Sequence, residues 1–327
     1  MIAQAVAARL HASRGFAHKR DIADVMRRLA PVLPDGIALG DDCAAIPDGD
    51  GHLLFAIEGF VEDFVERMPW FAGYCGVMVN VSDIYAMGGR PIAVVDALWS
   101  DGAAAAGPVL DGMAEASRRY AVPIVGGHSN QRSARGQLAV AVLGRARRLL
   151  TSFDARPGDA LVMAVDLRGA WREPYPYWDA STAAPAERLR ADLELLPALA
   201  EAGLCRAAKD ISMAGAVGTA LMLLECSRAG ARIDIDAIPR PADLHPGDSD
   251  ALLRWLVAFP SYGFVLSVAP RHVAAVLDRF AARGLACAVA GEVRAEPQVT
   301  LRHGGEDALL WDFAADSFIT AGALVHG

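Results

Sequence analysis

Two rhythms of apolar and polar residues alternate along the 327 positions, and the change from one to the other marks the elements. Ile22, Val25, Met26 and Leu29 recur at helical spacing, so residues 1 to about 30 read as one or two helices with Pro31 as their stop. Leu53 to Ile57 is a short apolar strand. Trp70 to Met87 has helical character and ends at Gly88-Gly89-Arg90-Pro91, where glycine permits a left-handed turn and proline stops the pattern. Ile92 to Leu98 reads as a buried strand, Val109 to Tyr120 as a helix, Val122 to Val125 as a strand running into Gly126-Gly127, and Gln137 to Leu143 as a closing strand. The turn-forming Arg156-Pro157-Gly158-Asp159 predicts a boundary, which divides the chain into domains 1–150 and 151–327. Beyond it come a strand over Leu161 to Val165, a loop rich in aromatics and proline from Trp171 to Pro185, and a helix over Ser212 to Gly230 capped by Ser212. Strands Tyr262 to Val268 and Ala286 to Val293 flank a helix from Pro270 to Arg283. The alternation predicts a mixed α/β (α+β) fold.

Composition narrows the class. With 54% hydrophobic and 21% charged residues, the chain can bury one large core or two ordinary ones. A formal net charge of -8 argues against a nucleic-acid or anionic-membrane binder, since both need a positive footprint that releases counterions. Cys43, Cys75, Cys205, Cys226 and Cys287 are odd in number and never in Cys-x-x-Cys spacing, so the expectation is a reducing compartment with neither disulfide framework nor zinc ribbon. Arg9, His11 and Arg14 precede no apolar core with a small-residue cleavage site, and no uncharged run approaches spanning length, so a cytoplasmic protein is expected.

Three acidic stations in apolar surroundings carry the candidate chemistry: Gly40-Asp41-Asp42-Cys43-Ala44, Asn80-Val81-Ser82-Asp83-Ile84 and Lys209-Asp210-Ile211-Ser212. Carboxylates repel a triphosphate, but they can hold the Mg²⁺ that neutralises its oxygens, which predicts ATP dependence. The first station alone reads equally well as a surface turn. Asn80 and Asp83 share a helix face that Gly73 and Gly76 extend with residues lacking bulk. Helix packing through small residues explains those glycines, but not an Asn and an Asp among Val77-Met78-Val79 and Ile84, where uncompensated burial is costly. Gly126-Gly127-His128-Ser129 follows a strand where backbone amides can meet a phosphate or ribose, with His128 read either as a ligand group or as a structural imidazole. Lys209-Asp210 precedes the expected helix, whose free amides favour an anion; Asp210 would hold metal and Lys209 meet phosphate or remain a solvated charge. In the aromatic loop, Trp171, Arg172, Tyr175, Tyr177 and Trp178 suit a planar or phosphorylated small substrate by stacking and charge, or else pack over the core.

These stations in this order resemble the AIR synthase-related (PurM-like) superfamily, which includes thiamine-monophosphate kinase, selenophosphate synthetase and a hydrogenase-maturation protein. The resemblance spans roughly residues 38 to 295. Asn80 through Pro91 is similar to the signature of the thiamine-monophosphate kinase branch, as is Gly40-Asp41-Asp42-Cys43-Ala44, whereas Gly126-Gly127-His128-Ser129 resembles the selenophosphate synthetase version. The resemblance implies a two-domain fold and a homodimer: an N-terminal ATP- and Mg²⁺-binding domain pairs its strands with the partner's into a shared barrel, and a C-terminal αβ domain follows. Carried over by position, Asp41, Asp42, Asp83 and Asp210 are implied magnesium ligands, Glu58 replaces a strand-end aspartate, and Asn80 lies beside the phosphates. The implied activity is an ATP- and Mg²⁺-dependent phosphotransferase or ligase-like activation of a small metabolite. Catalysis would centre on Asp210 and Lys209, with the nucleotide on Asn80 and Gly126 to Ser129.

The chain departs from each named branch. Met213 stands where the kinase carries a second aspartate, and Phe259-Pro260-Ser261-Tyr262-Gly263 where a late glutamate-aspartate motif belongs. Met1 to Leu39 lacks the reactive cysteine and lysine of selenophosphate synthetase, and Leu324-Val325-His326-Gly327 lacks the terminal cysteine of the hydrogenase protein. AIR synthase itself lacks the kinase-like first motif. Three alternatives therefore accompany the enzyme reading: an ATP-binding regulatory or scaffold protein that has lost turnover, a selenophosphate synthetase-like activity, or an α/β protein with a purely structural metal site.

Overall fold

The computed structural model describes residues 2–32, 37–244 and 248–320. They form two compact units, one comprising Asp42–Leu149 with Ala183–Glu201, the other Met1–Asp41, Leu150–Thr182 and Ala202–Gly327. The chain starts with α1 (Ile2–His11), α2 (Arg14–Arg20) and α3 (Ile22–Leu29). Helix α2 begins where the Ser13 hydroxyl accepts from the Phe16 amide. Pro31 lies inside a short 3₁₀ turn, Ala30–Val32, and the apolar stripe of α3 is covered only in part, with Ile22 packed against the core while Val25 and Leu29 stay exposed.

The first of these units contains β1 (Ala44–Asp48), β2 (Gly51–Phe60), α4 (Glu62–Arg67), α5 (Pro69–Ala86), β3 (Arg90–Asp101), α6 (Gly102–Tyr120), β4 (Ile124–Asn130) and β5 (Arg132–Ala146). Its sheet runs β1-β2-β5-β3-β4, antiparallel except for the parallel pair β3/β4. Pro69 at the first turn suits α5, since that position has no use for an N–H. The helix is buried along nearly its whole length, with the sheet on one side and α6 on another. Glycines make that fit possible: a Cβ on Gly73 would lie 1.9 Å from the Val109 carbonyl oxygen, and one on Gly112 1.9 Å from that of Trp70. Gly88 ends the helix with a left-handed φ of 74°.

Strand β3 differs from the buried strand its apolar run predicts. Val94 and Leu98 are buried, but Ile92 and Val95 are exposed, because helices cover only one face of the sheet. Gly126-Gly127 does not follow the strand but continues it as part of β4, in parallel register with Val95 and Asp96.

After Leu150 the chain builds the other unit with β6 (Ala160–Val165), β7 (Ala170–Trp171) and β8 (Tyr177–Asp179). It then contributes α7 (Ala186–Leu193) and α8 (Leu195–Glu201) to the five-stranded unit, where α7 meets α6 and α8 meets α5. It returns through β9 (Ala207–Asp210), α9 (Gly215–Cys226), β10 (Gly230–Asp234), α10 (Ser249–Leu256), β11 (Phe259–Pro260), β12 (Gly263–Val268), α11 (Val273–Ala281), β13 (Ala286–Arg294), β14 (Gln298–His303) and β15 (Glu306–Asp312). The large sheet is ordered β15-β14-β10-β13-β6-β12-β9, with a small sheet β11-β8-β7 beside it. Both large sheets are open within the chain.

One passage between the units falls at Leu149/Leu150, and neither unit is contiguous in sequence. Residues of α1 (Ala3, Val6, Ala7 and Leu10) bury against Leu310 and Trp311, so the amino terminus belongs with the carboxy-terminal half. The helix expected from Ser212 starts instead at Gly215, whose φ of 67° turns the chain into it, and the Ser212 carbonyl accepts from the Gly215 amide. Leu324 to Gly327, whose missing cysteine counted against the hydrogenase reading, lie outside the described residues.

Candidate functional site

In the five-stranded unit, Asp42 just precedes β1 and Asp83 is buried on α5, and carboxylate oxygens of the two lie within 4.8 Å of each other. Asn80, one helical turn before Asp83, is fully buried. Its Nδ2 donates to the Gly76 carbonyl at 2.8 Å, which settles the orientation of the amide, since the reverse assignment would set two acceptors against each other. The Asn80 Oδ1 then accepts no hydrogen bond among the described residues. An orphaned buried acceptor costs about 1–3 kcal/mol, and what satisfies it is a cation or a donor such as cation-bound water. Two carboxylates and an amide oxygen are the hard oxygen donors that Mg²⁺ takes, so the residues present fit that ion. Glu58 projects half-buried from β2 opposite Val140, the residue on which Gly76 rests, so it shares the face covered by α5.

Gly126, Gly127, His128 and Ser129 lie exposed on the edge strand β4, with the His128 ring 5.9 Å from that of Trp99. A Cβ on Gly127 would fall 2.4 Å from Asp96 Oδ1. Glycine is what lets the Asp96 carboxylate lie against this strand, and burial pushes that carboxyl above its ordinary range. Sequence reading passed over Asp96, although a lone acid in the apolar run Ile92 to Leu98 was a signal.

In the other unit, Lys209 and Asp210 end β9 and are both buried. Burial removes the solvated-charge alternative for Lys209, whose Nζ donates to the Gly40 carbonyl at 3.4 Å. Neither residue caps a helix, since α9 begins five positions after Asp210. Asp41 turns its carboxylate to Ser152, accepting from the hydroxyl at 2.7 Å and from the amide at 2.9 Å.

The aromatic loop resolves into packing and polar ties. Trp178 is buried, its indole N–H donating to the Asp166 carbonyl at 3.0 Å and its ring set edge-on to Trp171 and Trp255. For Trp178 this is the packing alternative, with the ring committed to the core. Arg172 Nε donates to Asp179 at 2.8 Å. Burial alone would raise the Asp179 carboxyl, but donors on Thr182, Ser181 and Arg172 together hold it below the usual carboxylate range. Tyr175 stacks on Tyr177 at 5.1 Å, and both stay half-buried.

Among the described residues no helix is long and apolar enough to cross a membrane. Residues 40–146 match the family described as AIR synthase related protein, N-terminal domain, and residues 158–304 match its C-terminal domain. The chain is 50% identical over 307 residues to the uncharacterized protein sll0787 of Synechocystis, covering 93% of this chain and 94% of that one. It is 33% identical to the thiamine-monophosphate kinase of Pyrococcus horikoshii over 144 residues, 41% of this chain and 45% of the kinase. The structure titled AaThiL complexed with AMPPCP and TMP superposes with a TM-score of 0.67 at 18% identity, covering 86% of this chain and 92% of that one. Two family matches that together span most of the chain make this protein a member of the AIR synthase-related family.

Proposed function

We propose that the chain is an ATP- and Mg²⁺-dependent enzyme that phosphorylates or otherwise activates a small metabolite. The observation that carries this reading is the fully buried Asn80 amide oxygen, which accepts no hydrogen bond, one turn from Asp83 on a helix whose Asp83 carboxylate meets that of Asp42. Asp42, Asp83 and Glu58 hold metal in the five-stranded unit, where Asn80 Oδ1 receives the metal or its water, and Asp210 is a metal ligand in its own unit. When bound, Mg²⁺ neutralises the phosphate oxygens and orients the leaving group. Transfer of this kind needs charge neutralisation and positioning more than covalent chemistry, so acids set on a rigid helix and a strand end are sufficient apparatus. The exposed edge of β4, with Gly126 to Ser129, offers amides to the nucleotide, and Lys209 places its Nζ beside the Gly40 turn. Support from relatives lies in the name of the Pyrococcus kinase and in the AMPPCP, an ATP analogue, of the superposed structure.

A cytoplasmic homodimer completes the reading. Phe55, Ile57, Val95 and Leu143 share the uncovered face of the five-stranded sheet, and a second copy would bury them in a joint barrel. Thermal unfolding tests the nucleotide site: millimolar ATP with Mg²⁺ raises the parent Tm, and Asp83→Asn removes the shift. A parent that shows no shift would reject the proposal. Met213, standing where the kinase branch carries an aspartate, favours a second reading as an ATP-binding protein without turnover. ADP release in the presence of phosphorylatable metabolites separates the two.

A further inference from the structure

The first acidic station contains two adjacent aspartates whose surroundings differ. Asp42 meets Asp83, whereas both Asp41 oxygens accept from one residue 111 positions away: the Ser152 hydroxyl at 2.7 Å and the Ser152 amide at 2.9 Å. Two donors from a single residue fix the plane of a carboxylate as well as its position. Ser152 is itself held, because its carbonyl accepts from the Ser227 hydroxyl at 2.8 Å, and that hydroxyl accepts from the Ala155 amide at 3.0 Å. Ser227 caps the carboxy end of α9. Its neighbour Cys226 places Sγ 3.6 Å from the Gly40 carbonyl, and Gly40 at φ 112° leaves room for that sulfur, since a Cβ there would lie 2.8 Å from it. The end of one helix thus grips the turn through two consecutive side chains.

We infer that Asp41 is a positioning residue, tied through Ser152 and Ser227 to the end of α9, and that it fixes the backbone carrying Asp42 instead of ligating metal itself. This deepens the magnesium reading and rests on it. A carboxylate engaged by neutral donors on both oxygens fits a brace, while Asp42, the next residue, has the acidic neighbour a cation needs.

Mn²⁺ binding to the full chain, followed by electron paramagnetic resonance with a non-hydrolysable ATP analogue, tests the assignment. Asp41→Ala and Ser152→Ala are each expected to weaken Mn²⁺ by about 10-fold, the usual cost of losing an outer partner, with no loss in the number of ions bound per chain. The double variant should be no weaker than either single one, because both remove the same tie. Loss of one ion in Asp41→Ala, with Ser152→Ala at parental affinity, would make Asp41 a ligand and overturn the inference. Amide hydrogen exchange over residues 40–44 in metal-free protein gives a second reading: it should quicken in Ser152→Ala, and unchanged exchange also overturns the brace. A parent that binds no Mn²⁺ refutes the magnesium reading, and the exchange measurement then judges the brace by itself.

Discussion

Asp96 lies half-buried on β3 against the glycine backbone of β4, and loss of solvent raises its carboxyl above the ordinary carboxylate range. A folded-state value above the unfolded one means that the fold holds the proton more tightly. The resulting stability is complete below the unfolded carboxylate range and is lost as pH rises through the raised value. Asp96→Asn, a neutral isostere, should therefore raise Tm near neutral pH and change it little well below the ordinary carboxylate range, where folded and unfolded chains both hold the proton. Equal gains at both pH values in calorimetry would show that desolvation of the charge is not the cause. The glycine pair beside it provides an internal control. Gly127→Ala sets a methyl into Asp96 and should cost about 1–3 kcal/mol as overpacking, whereas Gly126→Ala meets nothing within 4 Å and should be nearly neutral in denaturant titration. Asn80 shows what a single residue reveals in sequence and what it hides. An amide in an apolar helix was conspicuous, but only its bond to Gly76 showed that the oxygen, not the nitrogen, lacks a partner.

Helices α5 and α6 cross so closely that Gly73 and Gly112 each face a carbonyl oxygen of the other helix. An added methyl must push two main chains apart, so Gly73→Ala or Gly112→Ala is expected to destabilise by about 2–4 kcal/mol, beyond the gain in helix propensity. A Tm equal to or above the parent's would refute that packing. Helix α9 has a separate structural duty at Glu225, a buried carboxylate that accepts from the Phe318 and Ile319 amides at 2.7 Å each and from the Thr320 hydroxyl at 2.9 Å. Glu225→Gln turns an N–H₂ toward these donors and should cost about 1–3 kcal/mol while quickening amide exchange at residues 318–319. Unchanged exchange would mean that other contacts hold the segment. At this scale the periodic helices and apolar strands were legible, because one-sided burial writes its period into the chain. The start of α9 was not. Ser212 has the chemistry of a cap, but β9 runs on through Asp210 beside Phe264, so the helix can begin only after the turn at Gly215. The hairpin β14/β15 escaped notice although Gly304-Gly305, both left-handed, punctuates alternating apolar residues on either side.

For the molecule as a whole, the uncovered face of the five-stranded sheet carries the proposed dimer. Ile57, the most exposed of its large apolar side chains at 67%, is the place to test it: Ile57→Glu should turn a sedimenting dimer into a folded monomer. A parent that sediments as a monomer would refute the proposed pairing. Composition and charge suggested the kind of protein, and three short motifs its family. Sequence by itself determined the helix carrying Asn80 and Asp83 and the major strands, since each follows from local periodicity. Only the tertiary structure decided that residues 1–41 belong with the second half, that Trp178 packs inward, and that Asp41 and Asp42 have different partners. Those outcomes rest on side chains distant in sequence, such as Ser152 and Asp166, and no local pattern records which distant group a side chain will meet once the core has formed.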